Sequence, residues 1–121
     1  MKAIILVDHG SRLPEANALL DQVAERLRAR GVADLVKASH MELAPPSLGE
    51  AFDDCARAGA NDVTIAQFFL GPGRHSSRDI PRMAEEAAAR HAGVTWRVTE
   101  PLGSSGHVVE ALLERLQEAL R

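Results

Sequence analysis

Ile4-Ile5-Leu6-Val7-Asp8-His9-Gly10-Ser11-Arg12 is the stretch on which the fold turns: four consecutive apolar residues, then an acid, a histidine and a glycine-bearing loop. A short unbroken apolar run reads as a strand buried on both faces, which belongs in a parallel sheet rather than a half-solvated antiparallel one. A second run, Val63 to Leu70, leads into Gly71-Pro72-Gly73-Arg74-His75. Two histidines thus each follow an apolar strand. In open parallel α/β sheets ligands bind outside the C-terminal strand ends, so both imidazoles are expected at such a crevice.

The rest of the chain fills in around these strands. Strands are expected at 2–8, 34–40, 63–70 and 94–99, the third being the most apolar and central. Helical periodicity runs from Ala16 to Arg30, where Gly31 stops it, with Pro14 tolerated near its start. A second helix spans Ser47 to Ala58, because Pro45-Pro46 breaks the chain and Ser47-Leu48-Gly49-Glu50 has the form of a capping box. Asp79-Ile80-Pro81 opens a third helix ending near His91, with Asp79 as its cap, and Val108 to Leu120 forms an amphipathic fourth. The order βαβαβαβα with right-handed crossovers predicts a doubly wound parallel four-stranded sheet, order 2-1-3-4, with helices on both faces. Residues 1–121 are read as one domain. In that order the first and third strands are neighbours whose chains leave in opposite directions, which brings His9 and His75 to one crevice.

Composition narrows the function. With 121 residues, 45% apolar, 26% charged and a net charge of -3, the chain is an ordinary globular protein with no basic run or aromatic platform for nucleic acid. Ala3 to Val7 is too short to span a bilayer and precedes Asp8 and His9 rather than a cleavage pattern, so no membrane partner and a reducing cytoplasm are expected. Cys55 is the sole cysteine, which excludes an intramolecular disulfide or a one-chain iron–sulfur site and marks Cys55 as a packing residue.

Paired neutral imidazoles suit iron, cobalt, nickel and zinc and also titrate near neutral pH, so His9 and His75 can hold a metal or accept protons. After the second strand, His40 and Glu42 share a face if the backbone stays extended. Glu42 is either a metal or proton partner or a solvated loop carboxylate, which residue chemistry leaves open; His40 is read as a packing or hydrogen-bonding residue. Arg12, Arg74 and Arg78, with Ser11, Ser76 and Ser77, flank the histidine loops and form a receptor for several carboxylates, pointing to an acidic substrate. Gly10, Gly71 and Gly73 allow either close approach of a flat ligand or simply tight turns. His91 is expected at the end of the third helix and His107 at the start of the fourth.

Five separated motifs then occur in order: His9-Gly10-Ser11-Arg12, His40-Met41-Glu42-Leu43-Ala44, Phe68-Phe69-Leu70, Pro72-Gly73-Arg74-His75 and Asp79-Ile80-Pro81, closed by Pro101-Leu102-Gly103. On these the chain resembles the small class II tetrapyrrole chelatases, the sirohydrochlorin chelatase group of short cobaltochelatases and ferrochelatases. The resemblance implies a flavodoxin-like half-unit pairing as a homodimer, with His9 and His75 as catalytic and metal-binding histidines and Glu42 as the acid near the metal. It implies insertion of Fe²⁺ or Co²⁺ into sirohydrochlorin, in siroheme or cobalamin synthesis. No cofactor is then permanently bound, and the divalent ion (Fe²⁺, Co²⁺ or Ni²⁺) is a substrate. Ser76 and Ser77 stand where some relatives carry further histidines, and the plant members' transit peptide and cluster cysteines have no counterpart here, so redox control by a cluster is not expected. The alternatives are a non-catalytic metal or tetrapyrrole carrier and an anion-binding flavodoxin-like domain. The absence of GxGxxG or a P-loop counts against the latter.

Overall fold

Four parallel strands alternate with four helices in a computed structural model, which describes residues 1–71, 73, 76–103 and 105–121 (backbone only at Ser76 and Ser77). They are β1 (Lys2–Asp8), α1 (Pro14–Ala29), β2 (Leu35–His40), α2 (Leu48–Arg57), β3 (Asp62–Gln67), α3 (Ser76–Ala88), β4 (Thr95–Val98) and α4 (Gly106–Ala119). The sheet has the expected order β2-β1-β3-β4. Ile5 pairs with Lys37 on one side and Ile65 on the other, and Ile65 with Val98.

Strand alternation divides the core in two. Ile5, Val7, Val63 and Ile65 face α2 and α3, where Leu48, Phe52, Cys55 and Ile80 close over them with almost no exposure. Burial pushes the Cys55 thiol above its ordinary pKa, as befits an inert packing residue. On the opposite face Leu6, Val36 and Ala38 pack beneath Leu20 and Ala24 of α1. The predicted capping box forms at α2: the Glu50 N–H donates to Ser47 Oγ at 3.1 Å, and the Ser47 N–H to Glu50 Oε1 at 3.1 Å. Pro14 occupies the first turn of α1, where its missing N–H removes no intrahelical bond.

Three expectations need correction. β3 ends at Gln67 rather than Leu70. Beyond Val98 one more backbone bond forms, from the Thr99 N–H to the Ile65 carbonyl at 2.9 Å. Gln67 is then held by side-chain bonds, its N–H donating to Thr99 Oγ1 at 3.2 Å and its Nε2 to the Thr99 carbonyl at 2.6 Å. Pro101 has no N–H to donate, and the next backbone bond is the Leu102 N–H to the Phe69 carbonyl at 2.9 Å. Asp79 is not the cap of α3, because the helix begins three residues earlier, at Ser76. Asp79 instead lies in its first turn, where a carboxylate complements the helix dipole, and it meets Arg82 at 3.3 Å. The chain after β2 does not stay extended past His40: it bends through Met41, and Leu43 adopts a φ of 70°. His40 and Glu42 therefore part company.

Candidate functional site at the C-terminal edge of the sheet

β1 and β2 go on exchanging backbone bonds after both strands end. The Met41 N–H donates to the Asp8 carbonyl at 2.9 Å and the Glu42 N–H to the His9 carbonyl at 3.2 Å. The next residue shows how close the two loops come: a Cβ on Gly10 would stand 1.9 Å from the Glu42 carbonyl oxygen, and Gly10 has a φ of +88°. Glycine alone meets both demands. The backbone thus sets Glu42 beside His9, and both side chains are exposed at the sheet edge.

The His9 ring is oriented from below by Phe69, with centroids 4.6 Å apart and planes tilted by 30°. Phe69 itself belongs to the core beneath α2 and α3. An exposed imidazole held against a fixed aromatic ring has less rotamer entropy to lose on engaging a ligand. An open cavity of about 280 Å³ adjoins it, lined by Asp8, His9, Gly10, Ser11, Asn17 and Phe68 among others.

Behind His9, Asp8 accepts or shares a hydrogen bond with His40 Nδ1 at 2.5 Å, and His40 is buried as its strand position implied. The loop leading to α1 is latched by Asn17: the Ser11 N–H donates to Asn17 Oδ1 at 2.9 Å, and Asn17 Nδ2 donates to the Ser11 carbonyl at 2.7 Å. Ser11 Oγ accepts from the Leu13 N–H at 3.0 Å, so this hydroxyl already shapes the loop in addition to any part in binding.

Of the residues singled out in the sequence, the structure brings His9, Glu42 and Ser11 together on the first two loops. Arg12 is exposed on the same loop as His9, and Arg78 is exposed in the first turn of α3. The backbone of Ser76 and Ser77 forms the start of that helix. Arg74 and His75 lie outside the described residues. Among the described residues no three His, Cys, Asp or Glu side chains converge into a set able to hold a metal ion. His91 meets the end of α3 as expected, its N–H donating to the Ala88 carbonyl at 3.0 Å, and its Nε2 also meets Asp53 Oδ1 of α2 at 2.7 Å. The His107 N–H donates to Ser105 Oγ at the start of α4, as expected. Sequence reasoning assigned no role to Phe69, Asp8 or Asn17. Asn17, six residues after Ser11, carries only a short-range polar signal, and Phe69 stood only as part of the Phe68-Phe69-Leu70 motif.

Among the described residues no helix is long and apolar enough to cross a membrane. The profile of the CbiX family matches residues 3–119. The chain is 38% identical over 117 residues to the chloroplastic sirohydrochlorin ferrochelatase of Arabidopsis thaliana, covering 97% of this chain and 52% of that protein. It is 34% identical over 121 residues to the sirohydrochlorin cobaltochelatase of Sulfurisphaera tokodaii, covering 100% of this chain and 96% of the relative. Its fold superposes on SirB from Bacillus subtilis, solved with Fe³⁺, with a TM-score of 0.89 and 27% identity, covering 98% of this chain and 47% of SirB. The chain thus spans about half the length of the Arabidopsis and Bacillus proteins. With the profile running almost end to end, this chain belongs to the CbiX family.

Proposed function

We propose that this protein inserts a divalent metal ion, Fe²⁺ or Co²⁺, into sirohydrochlorin, releasing two pyrrole protons for each ion taken up. The reading is carried by the backbone bond between the His9 and Glu42 loops, which holds two exposed residues able to ligate a metal or move a proton on adjacent loops beyond the C-terminal ends of β1 and β2. The names of the ferrochelatase and cobaltochelatase relatives support the choice of reaction and of metals.

His9 replaces a water on the incoming ion or takes up a pyrrole proton, a role worth ~10²–10⁴-fold in rate for a well-placed base. Glu42 offsets the ion's charge and relays a proton. His75, one residue ahead of α3 in the sequence, is assigned as the second imidazole, and few protein ligands keep positions open so that the metal can leave with the product. Arg12, Arg74 and Arg78, with Ser11, Ser76 and Ser77, receive the macrocycle's carboxylates, turning binding energy into orientation. The working unit is a homodimer, since one half-length unit offers a single open edge to a large flat ring. The buried thiol of Cys55 suits a reducing compartment such as the cytoplasm.

Anaerobic incubation of the purified protein with excess sirohydrochlorin and Fe²⁺, Co²⁺ or Ni²⁺, followed by visible spectroscopy, tests this. Many metallated products per site are expected with Fe²⁺ or Co²⁺. A single stoichiometric product with no turnover would make the protein a carrier instead.

A further inference from the structure

The loop after β2 carries a leucine that folding alone does not account for. The chain leaves β2 at His40 and returns at once, the His40 N–H donating to the Pro46 carbonyl at 2.9 Å, so Glu42 and Leu43 stand in the turn between. Leu43 has a φ of 70°, in the left-handed region where a Cβ crowds its own carbonyl. Asparagine enters that region far more readily than a bulky apolar residue does. Burial of the side chain could offset the strain, yet Leu43 is 55% exposed and packs into neither half of the core. The same feature recurs around it. Each loop beyond the C-terminal strand ends carries an exposed leucine: Leu13 after β1, Leu43 after β2, Leu70 after β3 and Leu102 after β4. One exposed leucine needs no explanation, whereas one on every loop of a single edge does. The β3 and β4 loops are joined by the Leu102 N–H and the Phe69 carbonyl, as the β1 and β2 loops are joined through His9 and Glu42. Given the order β2-β1-β3-β4, the loop of Leu43 lies to one side of the His9 loop and those of Leu70 and Leu102 to the other.

We propose that Leu43 is a substrate contact: its side chain meets the flat apolar face of the macrocycle next to Glu42, and the strained turn exists to present it there. The inference rests on the function proposed above and deepens it. Arginines and serines can receive the carboxylates at the ring's rim, but a rim held by long flexible side chains leaves the height and tilt of the plane undetermined. An apolar contact on the face supplies what the rim contacts lack. Leu43 suits the task because it is one residue from Glu42, so ring and carboxylate are set in one frame. Its loop is also short and closed on itself at His40 and Pro46, which keeps the contact from yielding. Leu70 and Leu102, on the far side of His9, give the same face a second support, and Phe69 fixes the imidazole between. Covering exposed leucine on binding is favourable in itself, and it drives water from the place where the ring nitrogens meet the ion.

Anaerobic titration of metal-free sirohydrochlorin with the native chain, Leu43→Asn and Leu43→Met, followed in the visible spectrum, tests the contact beside chemical denaturation of each protein. Asparagine tolerates the left-handed turn, so Leu43→Asn should be at least as stable as the native chain. It is expected to bind the macrocycle ~10-fold or more weakly, the loss that follows from one uncovered leucine. The KM for Co²⁺ in turnover should not move. Leu43→Met should recover most of the affinity that asparagine loses. Native-like binding by Leu43→Asn, or a methionine variant as weak as the asparagine one, overturns the contact. So does a loss of stability in Leu43→Asn, which assigns the leucine to the fold, and so does a raised KM for Co²⁺, which shows the substitution acting through Glu42. Dissociation of a native dimer by Leu43→Asn in sedimentation overturns it too, by assigning the leucine to subunit pairing. A native chain that binds no sirohydrochlorin overturns the proposed function itself, a result distinct from native binding that the asparagine variant keeps.

Discussion

The two faces of this sheet are built from one set of strands and end in different states. Toward α2 and α3 the strands contribute Ile5, Val7, Val63 and Ile65, none with measurable exposure, and Phe52 fills the space above them. Toward α1 the same strands contribute Ile4, Thr64 and Ala66, and only the half beneath α1 is closed. Burial is therefore concentrated on one face, while much of the other stays open to solvent. The loops that carry His9 and Glu42 stand where the two regimes meet, anchored by Phe69 on the closed side and by the Ser11–Asn17 latch on the other.

Breaking the closed face should have the largest effect on stability. Phe52→Ala removes a fully buried ring and is expected to cost about 3–5 kcal/mol in chemical denaturation, a large part of the total for a domain of this size. Gly10→Ala comes next. It drives a methyl into the Glu42 carbonyl and forces a positive φ on alanine, so a loss on the order of 2–3 kcal/mol is expected together with a fall in chelation. A comparable loss of stability with unchanged turnover would show that the contact of these loops serves folding alone.

A smaller effect, visible only in acid, is expected where α2 meets the end of α3. Burial pushes the Asp53 carboxyl up, but the bonds from His91 and Arg90 outweigh it and hold the pKa below the ordinary 3.8. The native carboxyl thus releases its proton more readily than the unfolded one. Its contribution is complete above pH 3.8 and disappears as pH falls through that value toward the lower native one. Asp53→Asn should lower stability at neutral pH and flatten the acid limb of the stability curve; an unchanged acid limb would assign the acid sensitivity to other carboxylates.

Much of this was legible in the chain itself. Apolar runs with no alternation announce central parallel strands, and the order 2-1-3-4 followed from crossover handedness, so His9 could be placed at the sheet edge in advance. What escaped depends on partners remote in sequence. His91 is the helix-end residue it reads as, but its second partner, Asp53 of α2, lies 38 positions away. Asp79 has the chemistry of a cap and Pro81 reads as a first-turn proline, but the helix starts earlier and carries Pro81 inside it, without one intrahelical bond. Apolarity carried β3 on to Leu70 because no sequence period reports that Pro101 leaves the ladder without a donor. Likewise the periodicity of α4 states that a stripe must be covered without stating by what. Glu42 was undecided as a sequence residue; its N–H bond to the His9 carbonyl, and the clash that excludes every side chain but glycine at position 10, show how near its loop lies to His9.

The most direct measurement of the central claim is steady-state formation of metallated sirohydrochlorin by His9→Ala beside the native chain, with thermal melting of both. His9 is exposed and supports no core packing beyond its contact with Phe69, so the variant is expected to melt within about 1 kcal/mol of the native protein. It should lose 10²-fold or more in turnover, on the order expected for removing a general base or metal ligand. Native-like turnover by a folded His9→Ala chain would contradict the account.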